Sequence, residues 1–195
     1  MNTTYKKTSG TPHKVRIIGG HLKRTILPVA DVPGLRPTPD RVRETVFNWI
    51  NHLWDSDYSN KSVLDLFAGT GALGFEAASR GAEHVQMVEN NPQAMLNLRQ
   101  IRDKLNLQQV RINNGDAMLV LKRMDASRFD LVFLDPPFQK DLIQEVLPYL
   151  PQILKPGSLL YTESEKKITL SPPFKLMKEG KAGAVFFQLH QFNEV

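Results

Sequence analysis

From Lys61 onward the apolar positions come in runs of about five to seven residues: SVLDLF, HVQMVE, VRINN, FDLVFLD, SLLYTES and AVFFQLHQF. Helix-periodic stretches near 72–80, 92–105, 117–124 and 140–154 follow the first four. Strand and helix in alternation predict βαβ units with right-handed crossovers, hence a mostly parallel sheet with helices on both faces. FKLMKEG and AVFFQLHQF, joined near Lys181-Ala182-Gly183, predict an antiparallel hairpin and bring the sheet to seven strands. Upstream, KVRIIGGHLKRTIL over Lys14–Leu27 places two short β-prone runs about Gly19-Gly20, a small hairpin. After the loop PVADVPGLRPTP a helix should start near Asp40, with Asp40 as its N-cap. Val42, Val46, Phe47, Ile50 and Leu53 then share one face. Residues 1–13 are polar with nothing to bury and read as a disordered tail. The expected organisation is that tail, a basic hairpin-and-helix extension over 14–58, and an α/β domain over 59–195.

Composition changes this picture little, since 41% apolar and 23% charged residues are ordinary for a globular chain. No run approaches the roughly 18 to 20 apolar residues of a membrane span. The N-terminus is basic but has no apolar segment behind it, so a secretory signal is not expected and a cytoplasmic location is. Zero cysteines exclude disulfides, thiolate nucleophiles and zinc ribbons. Charge is more telling. Residues 1–43 carry nine Lys or Arg against two Asp, a balance of +7, whereas the remainder carries 16 basic against 18 acidic residues. A basic arm on a near-neutral body suits a phosphate-backbone partner, and Lys14, Arg16, Lys23, Arg24, Arg36, Arg41 and Arg43 are its candidate contacts. A merely solvated face is the alternative.

In a doubly wound sheet the loops at the carboxyl ends of the strands carry the chemistry. The first such loop is Asp65-Leu-Phe-Ala-Gly-Thr-Gly-Ala-Leu-Gly74, in which Gly69, Gly71 and Gly74 have G-x-G-x-x-G spacing and Glu89 follows twenty residues after Gly69. That is a dinucleotide fingerprint by spacing alone. Three details resist it. Asp65 lies inside the strand, where a buried carboxylate wants a cationic partner. Phe67-Ala68 delays the glycines, so the loop wraps a ligand instead of aiming a helix at a pyrophosphate. Asp116 adds an acid at the same rim, suited to an adenine amine. Three acids without a cation fit a positively charged adenosine such as S-adenosylmethionine.

The fourth run ends in Phe129-Asp-Leu-Val-Phe-Leu-Asp-Pro-Pro-Phe138, which should face that loop across the cleft. Two prolines fix two successive φ angles and hold the Asp135 carboxylate and the Asp135 and Pro136 carbonyls as a stiff array of acceptors. Such an array suits an NH2 group. Holding an aromatic amine pyramidal aims its lone pair at an electrophile, and fixed acceptors stabilise the charge that then develops on nitrogen. Phe138 offers a surface for stacking an extruded base. Asp135, Pro136, Pro137 and Phe138 are the candidate catalytic residues.

Together, the Asp65–Gly74 loop and the Asp135–Phe138 tetrapeptide resemble those of class I S-adenosylmethionine-dependent amino-methyltransferases. VRIIGGHLKR and Leu35-Arg-Pro-Thr-Pro-Asp-Arg-Val-Arg-Glu-Thr-Val-Phe47 are similar to the RsmD-type 16S ribosomal RNA guanine-N2 methyltransferases. The resemblance covers nearly all the chain beyond residue 13. It implies a Rossmann-like sheet with the last strand antiparallel, a basic hairpin for RNA, and a guanine within an assembling small-subunit particle as substrate. The implied cofactor contacts are Asp65, Phe67, Ala68, Gly69, Thr70, Gly71, Glu89, Asn90, Asp116, Ala117 and Thr38, with Arg36, Thr38 and Arg41 placed over the cleft. A monomer without metal is expected.

Other readings stay open at this point. Adenine and cytosine amines meet similar Asp-Pro-Pro loops, so adenine N6 is an alternative target. The glycine spacing with Glu89 also suits a nicotinamide-dependent oxidoreductase, and the basic arm suits an RNA-binding module without catalysis. The five histidines show no metal spacing. Trp49 and Trp54 read as helix-to-sheet packing. Glu163 ends the fifth run near the cleft, and no catalytic role is assigned to it.

Overall fold

The computed structural model describes residues 14–35, 37–124, 126–137 and 142–193. The tail 1–13 therefore lies outside the described residues, as do Arg36 and Phe138. The chain opens with β1 (Lys14–Arg16) and β2 (Ile26–Pro28), an antiparallel pair with Arg16 opposite Ile26. Next come α1 (Asp40–Leu53), β3 (Ser62–Asp65), α2 (Ala72–Ser79), β4 (His84–Glu89), α3 (Pro92–Lys104) and β5 (Val110–Asn114). They are followed by α4 (Ala117–Leu121), β6 (Phe129–Leu134), α5 (Leu142–Val146), β7 (Leu154–Ser164), β8 (Phe174–Ala182) and β9 (Val185–Phe192).

Seven strands form one sheet in the order β5-β4-β3-β6-β7-β9-β8. β3 to β7 run parallel, and the last strand, β9, lies antiparallel between β7 and β8. Period-two alternation sorts the central strands into two cores. Val63, Leu131, Phe133 and Tyr161 face α1, α2 and α3, while Leu64, Val132, Leu134 and Leu160 face α4 and α5. Both faces are covered, which is why these strands read as unbroken apolar runs. From β3 the chain winds toward β5 in one direction and from β6 toward β7 in the other. The crevice at this reversal, at the carboxyl ends of β3 and β6, is the expected ligand position.

The hairpin and α1 share the first core: Val15, Ile17, Leu27, Val46 and Phe47 pack with Val63 and Phe133, and the Phe47 and Phe133 rings lie 5.8 Å apart. Trp49 stacks on Phe187 of β9 at 5.4 Å, the helix-to-sheet packing expected of it. Polar contacts bind the hairpin to α2 as well. Glu76, fully buried, accepts the Ile18 and Gly19 amides at 2.7 Å each, and Arg43 donates to the Arg16 carbonyl at 2.9 Å. At Gly20 (φ +73°) a Cβ would lie 1.8 Å from the Ser79 carbonyl oxygen, so only glycine permits this approach.

Two sequence expectations change. Of the helix foreseen over 140–154, the described part from Leu142 holds only α5 and a one-turn 3-10 helix at Leu147–Tyr149, after which β7 begins at Leu154. Pro148 and Pro151 cannot donate to a helical ladder, which ends it early. Asp40 is not the N-cap of α1: Pro39 holds that position, and Asp40 is the first helical residue, paired with Arg43 three positions on. Among the described residues no helix is long and apolar enough to cross a membrane, and no group of metal-ligating side chains occurs.

Candidate active site

At the switch point opens a cleft of about 930 Å3, lined by the loops after β3, β4, β5, β6 and β7 and by residues 32–35 and 37–39. The loop after β3 turns at Gly71, whose φ of +76° and whose closeness to Leu98 Cδ2, 2.5 Å from where a Cβ would stand, require glycine. Two carboxylates knit this loop from behind. Asp65 Oδ2 accepts the Gly74 amide at 3.0 Å, and Glu89 Oε2 accepts the Gly69 amide at 2.8 Å. The other Glu89 oxygen accepts the amides of Asn90 and Asn91 at 2.9 and 2.7 Å. Asp116 caps α4 through the Met118 and Leu119 amides, at 2.9 and 3.1 Å.

Opposite, Asp135 follows β6 and is held by Thr38, whose hydroxyl donates to Oδ2 at 3.3 Å. Burial pushes the Asp135 carboxyl well above the usual carboxylate range, and the nearby Glu163 and Asp65 add to the effect. Glu163, 5% exposed, is itself raised by burial, opposed by hydrogen bonds from Tyr161 and Thr38. The Tyr161 phenol donates to its Oε1 at 2.8 Å. Asp65 is pushed up to about 7, first by burial and then by Glu89 and Glu163, against the amides of Gly74 and Phe67. The electrostatic character of the cleft follows. Asp65, Glu89, Asp116, Asp135, Glu163 and Glu165 line it, and no described Lys, Arg or His does. A pyrophosphate would meet carboxyl groups and no cation among the described residues, whereas a sulfonium and amine donors meet acceptors. The residues present therefore fit S-adenosylmethionine and do not fit an anionic dinucleotide.

The family model described as "Conserved hypothetical protein 95" matches residues 15–191. A protein of Haemophilus influenzae named "Ribosomal RNA small subunit methyltransferase D" is 39% identical over 195 residues, covering 95% of this chain and 97% of its own. Its namesake in Escherichia coli is 38% identical, covering 91% and 90% of the two chains. The solved structure of yhhF from Escherichia coli is similar with a TM-score of 0.83 at 37% identity, covering 94% of this chain and 100% of that one. This chain belongs to that family.

The fold of this family member brings most of its sequence-nominated site residues into one cleft. Thr38, Asp65, Phe67, Ala68, Gly69, Thr70, Glu89, Asn90, Asp116, Ala117, Asp135, Pro136 and Pro137 all line it, and Gly71 shapes the loop without reaching the wall. Of the basic set, Lys14, Arg16, Lys23, Arg24 and Arg41 are exposed. Arg43 is a correction: its side chain is fully buried and bonded to Thr38 and Arg16 carbonyls and to Asp40, so it is a structural post and not an RNA contact. Two further acids carry weaker signals in the sequence. Glu163 stands beside Asp135, and its signal was an acid closing an apolar strand, the feature that marks Asp135 too. Glu76 was a lone acid in the otherwise small and apolar helix ALGFEAAS, the mark of a buried charge with a distant partner.

Proposed function

We propose that this protein transfers a methyl group from S-adenosylmethionine to the exocyclic N2 amine of a guanine in 16S ribosomal RNA, within the small subunit or an assembly intermediate. One observation carries the reading: a cleft lined by six carboxyl groups and no described Lys, Arg or His, with a half-buried Asp135 set against two prolines. When bound, S-adenosylmethionine would supply a sulfonium-activated methyl for the lone pair of the amine, with neutral S-adenosylhomocysteine as the leaving group as the carbon–sulfur bond breaks. Asp65, Glu89 and the Gly69–Gly71 loop hold this cofactor, with Thr38, Asp116 and Ala117 along its rim. Asp135 and the Pro136 carbonyl accept the two N–H bonds of the amine and keep the nitrogen pyramidal. As the nitrogen gains a fourth bond it becomes positive, and acceptors already in place stabilise that charge more than they stabilise the neutral amine. Asp135 then takes the proton that nitrogen loses. Phe138 supplies the stacking surface for the extruded base, an assignment that rests on its place in the tetrapeptide. Lys14, Arg16, Lys23, Arg24 and Arg41 hold the RNA backbone, so that residues 14–58 act as the RNA-binding extension of the domain over 59–195. The enzyme works as a monomer in the cytoplasm.

The test is transfer of labelled methyl to small subunits lacking the modification, followed by nuclease digestion and mass spectrometry. Label is expected in N2-methylguanine. Asp135→Ala should abolish transfer while cofactor affinity, read by calorimetry, persists. Label in N6-methyladenine would overturn the guanine assignment, and stabilisation by a nicotinamide dinucleotide instead of S-adenosylmethionine would overturn the reaction class.

A further inference from the structure

Two acids of the cleft, Glu163 and Glu165, are used neither by the cofactor nor by amine capture, and of these only Glu163 is buried. Glu163, at the end of β7, is buried beside Asp135, and a single hydroxyl, that of Thr38, contacts both carboxyls. Among the described residues no cation pairs with either. Tyr161 donates to one oxygen of Glu163, which orients the carboxyl toward the cleft it lines. A buried and a half-buried acceptor held side by side without a counter-charge are costly unless a ligand brings hydrogen-bond donors to both.

Nucleobases differ in what lies next to the amine. In adenine the N6 amine adjoins the N1 lone pair, and in cytosine the N4 amine adjoins the N3 lone pair. In guanine the N2 amine adjoins N1–H, so two donors stand next to each other on the Watson–Crick edge, the edge read when a base is extruded. We propose that Glu163 accepts N1–H of the target guanine while Asp135 holds the N2 amine, which makes the Asp135–Glu163 pair the determinant of guanine over adenine or cytosine. The proposal deepens the amino-methyltransferase reading above and rests on it. Tyr161 and Thr38 act as positioning residues for the pair.

2-Aminopurine separates the two contacts, because it keeps the 2-amine but carries a bare lone pair at N1. Small subunits are reconstituted with 2-aminopurine at the mapped guanine, and single-turnover transfer is compared with that to guanine. Losing a donor that a buried acceptor requires should slow the wild-type enzyme by about 100-fold or more. Glu163→Gln offers its amide N–H to the bare lone pair, so transfer to guanine should fall, transfer to 2-aminopurine should rise, and the ratio should shrink at least about tenfold. The missing O6 of 2-aminopurine is common to both enzymes and cancels in that comparison. If Glu163 only supports the fold, both rates fall together with the ratio unchanged, and the proposal is overturned. Equal wild-type rates on the two bases overturn it without any variant, should Glu163→Gln fail to fold. A wild-type enzyme inactive on guanine itself would instead remove the methyltransferase reading, and the proposal with it.

Discussion

Asp65 shows how far burial, reinforced by the neighbouring Glu89 and Glu163, can redirect a side chain. Desolvation lifts its carboxyl to about 7, while in an unfolded chain it would titrate near 3.8. Between these values the folded protein binds more protons than the unfolded chain, so stability falls as pH rises through that window. Asp135 and Glu163, both raised by burial, act with the same sign. The melting temperature of the unliganded protein should therefore decline from about pH 5 to about pH 8, and Asp65→Asn, which can keep the Gly74 contact through its carbonyl oxygen, should flatten the decline. A sulfonium ligand reverses the preference by favouring the ionised carboxyl, so S-adenosylmethionine affinity should rise through pH 7. Thermal denaturation and calorimetry across that range read both slopes, and an Asp65→Asn protein with the wild-type slopes would refute the assignment.

Among the elements, α2 does two jobs: its N-terminal end closes the glycine loop, and its middle grips the hairpin through Glu76. Arg43 lies with Nη1 3.7 Å from Glu76 Oε2, beyond hydrogen-bond reach, while Arg80 bonds the other oxygen at 2.8 Å. Arg43→Ala leaves Glu76 buried beside one fewer cation and frees the Arg16 carbonyl. It should cost about 3–5 kcal/mol in urea unfolding and speed hydrogen exchange at Ile18 and Gly19, whereas Arg41→Ala, on the exposed side of the same helix, should do neither. An Arg43→Ala protein of wild-type stability would show that the clasp is ornamental. This contrast also marks what was legible in the chain. Apolar runs and their spacing disclosed the strands of the sheet, because each strand signals its own burial. Arg41 and Arg43 look alike in sequence, and only tertiary packing separates them, which buries Arg43 against the Arg16 carbonyl of the hairpin and beside Glu76 on another helix. The overlong helix over 140–154 had a different origin: its apolar positions fitted a helix, while Pro148 and Pro151, signals local to the segment, ruled one out. The site loops were readable since glycine, proline and acid types are demanded by local geometry, but the adjacency of Asp135 and Glu163 depends on β6 and β7 pairing and is written in no local pattern.

For the whole molecule, opposite charges are kept in separate places. The cleft is acidic and rejects phosphate, so an RNA substrate must be gripped elsewhere, and the hairpin exposes Lys14, Arg16, Lys23 and Arg24. Because the hairpin is stapled to α2 by Glu76 and Ser79 and to α1 by Arg43, these charges are held at a fixed place relative to the glycine loop. Backbone binding of this kind weakens with salt as counterions are reclaimed, and each lost phosphate contact should lower the slope of log affinity against log salt by roughly 0.7 to 0.9. Lys23→Ala with Arg24→Ala should accordingly weaken small-subunit binding and flatten its salt dependence. Both residues are exposed, so melting temperature, S-adenosylmethionine affinity and the methylation rate at saturating substrate should hold. Filter binding over a salt series checks this against single-turnover rates. If the slope stays at the wild-type value the two charges only solvate the surface, and if the saturated rate collapses instead they belong to the chemistry, which the acid-lined cleft argues against.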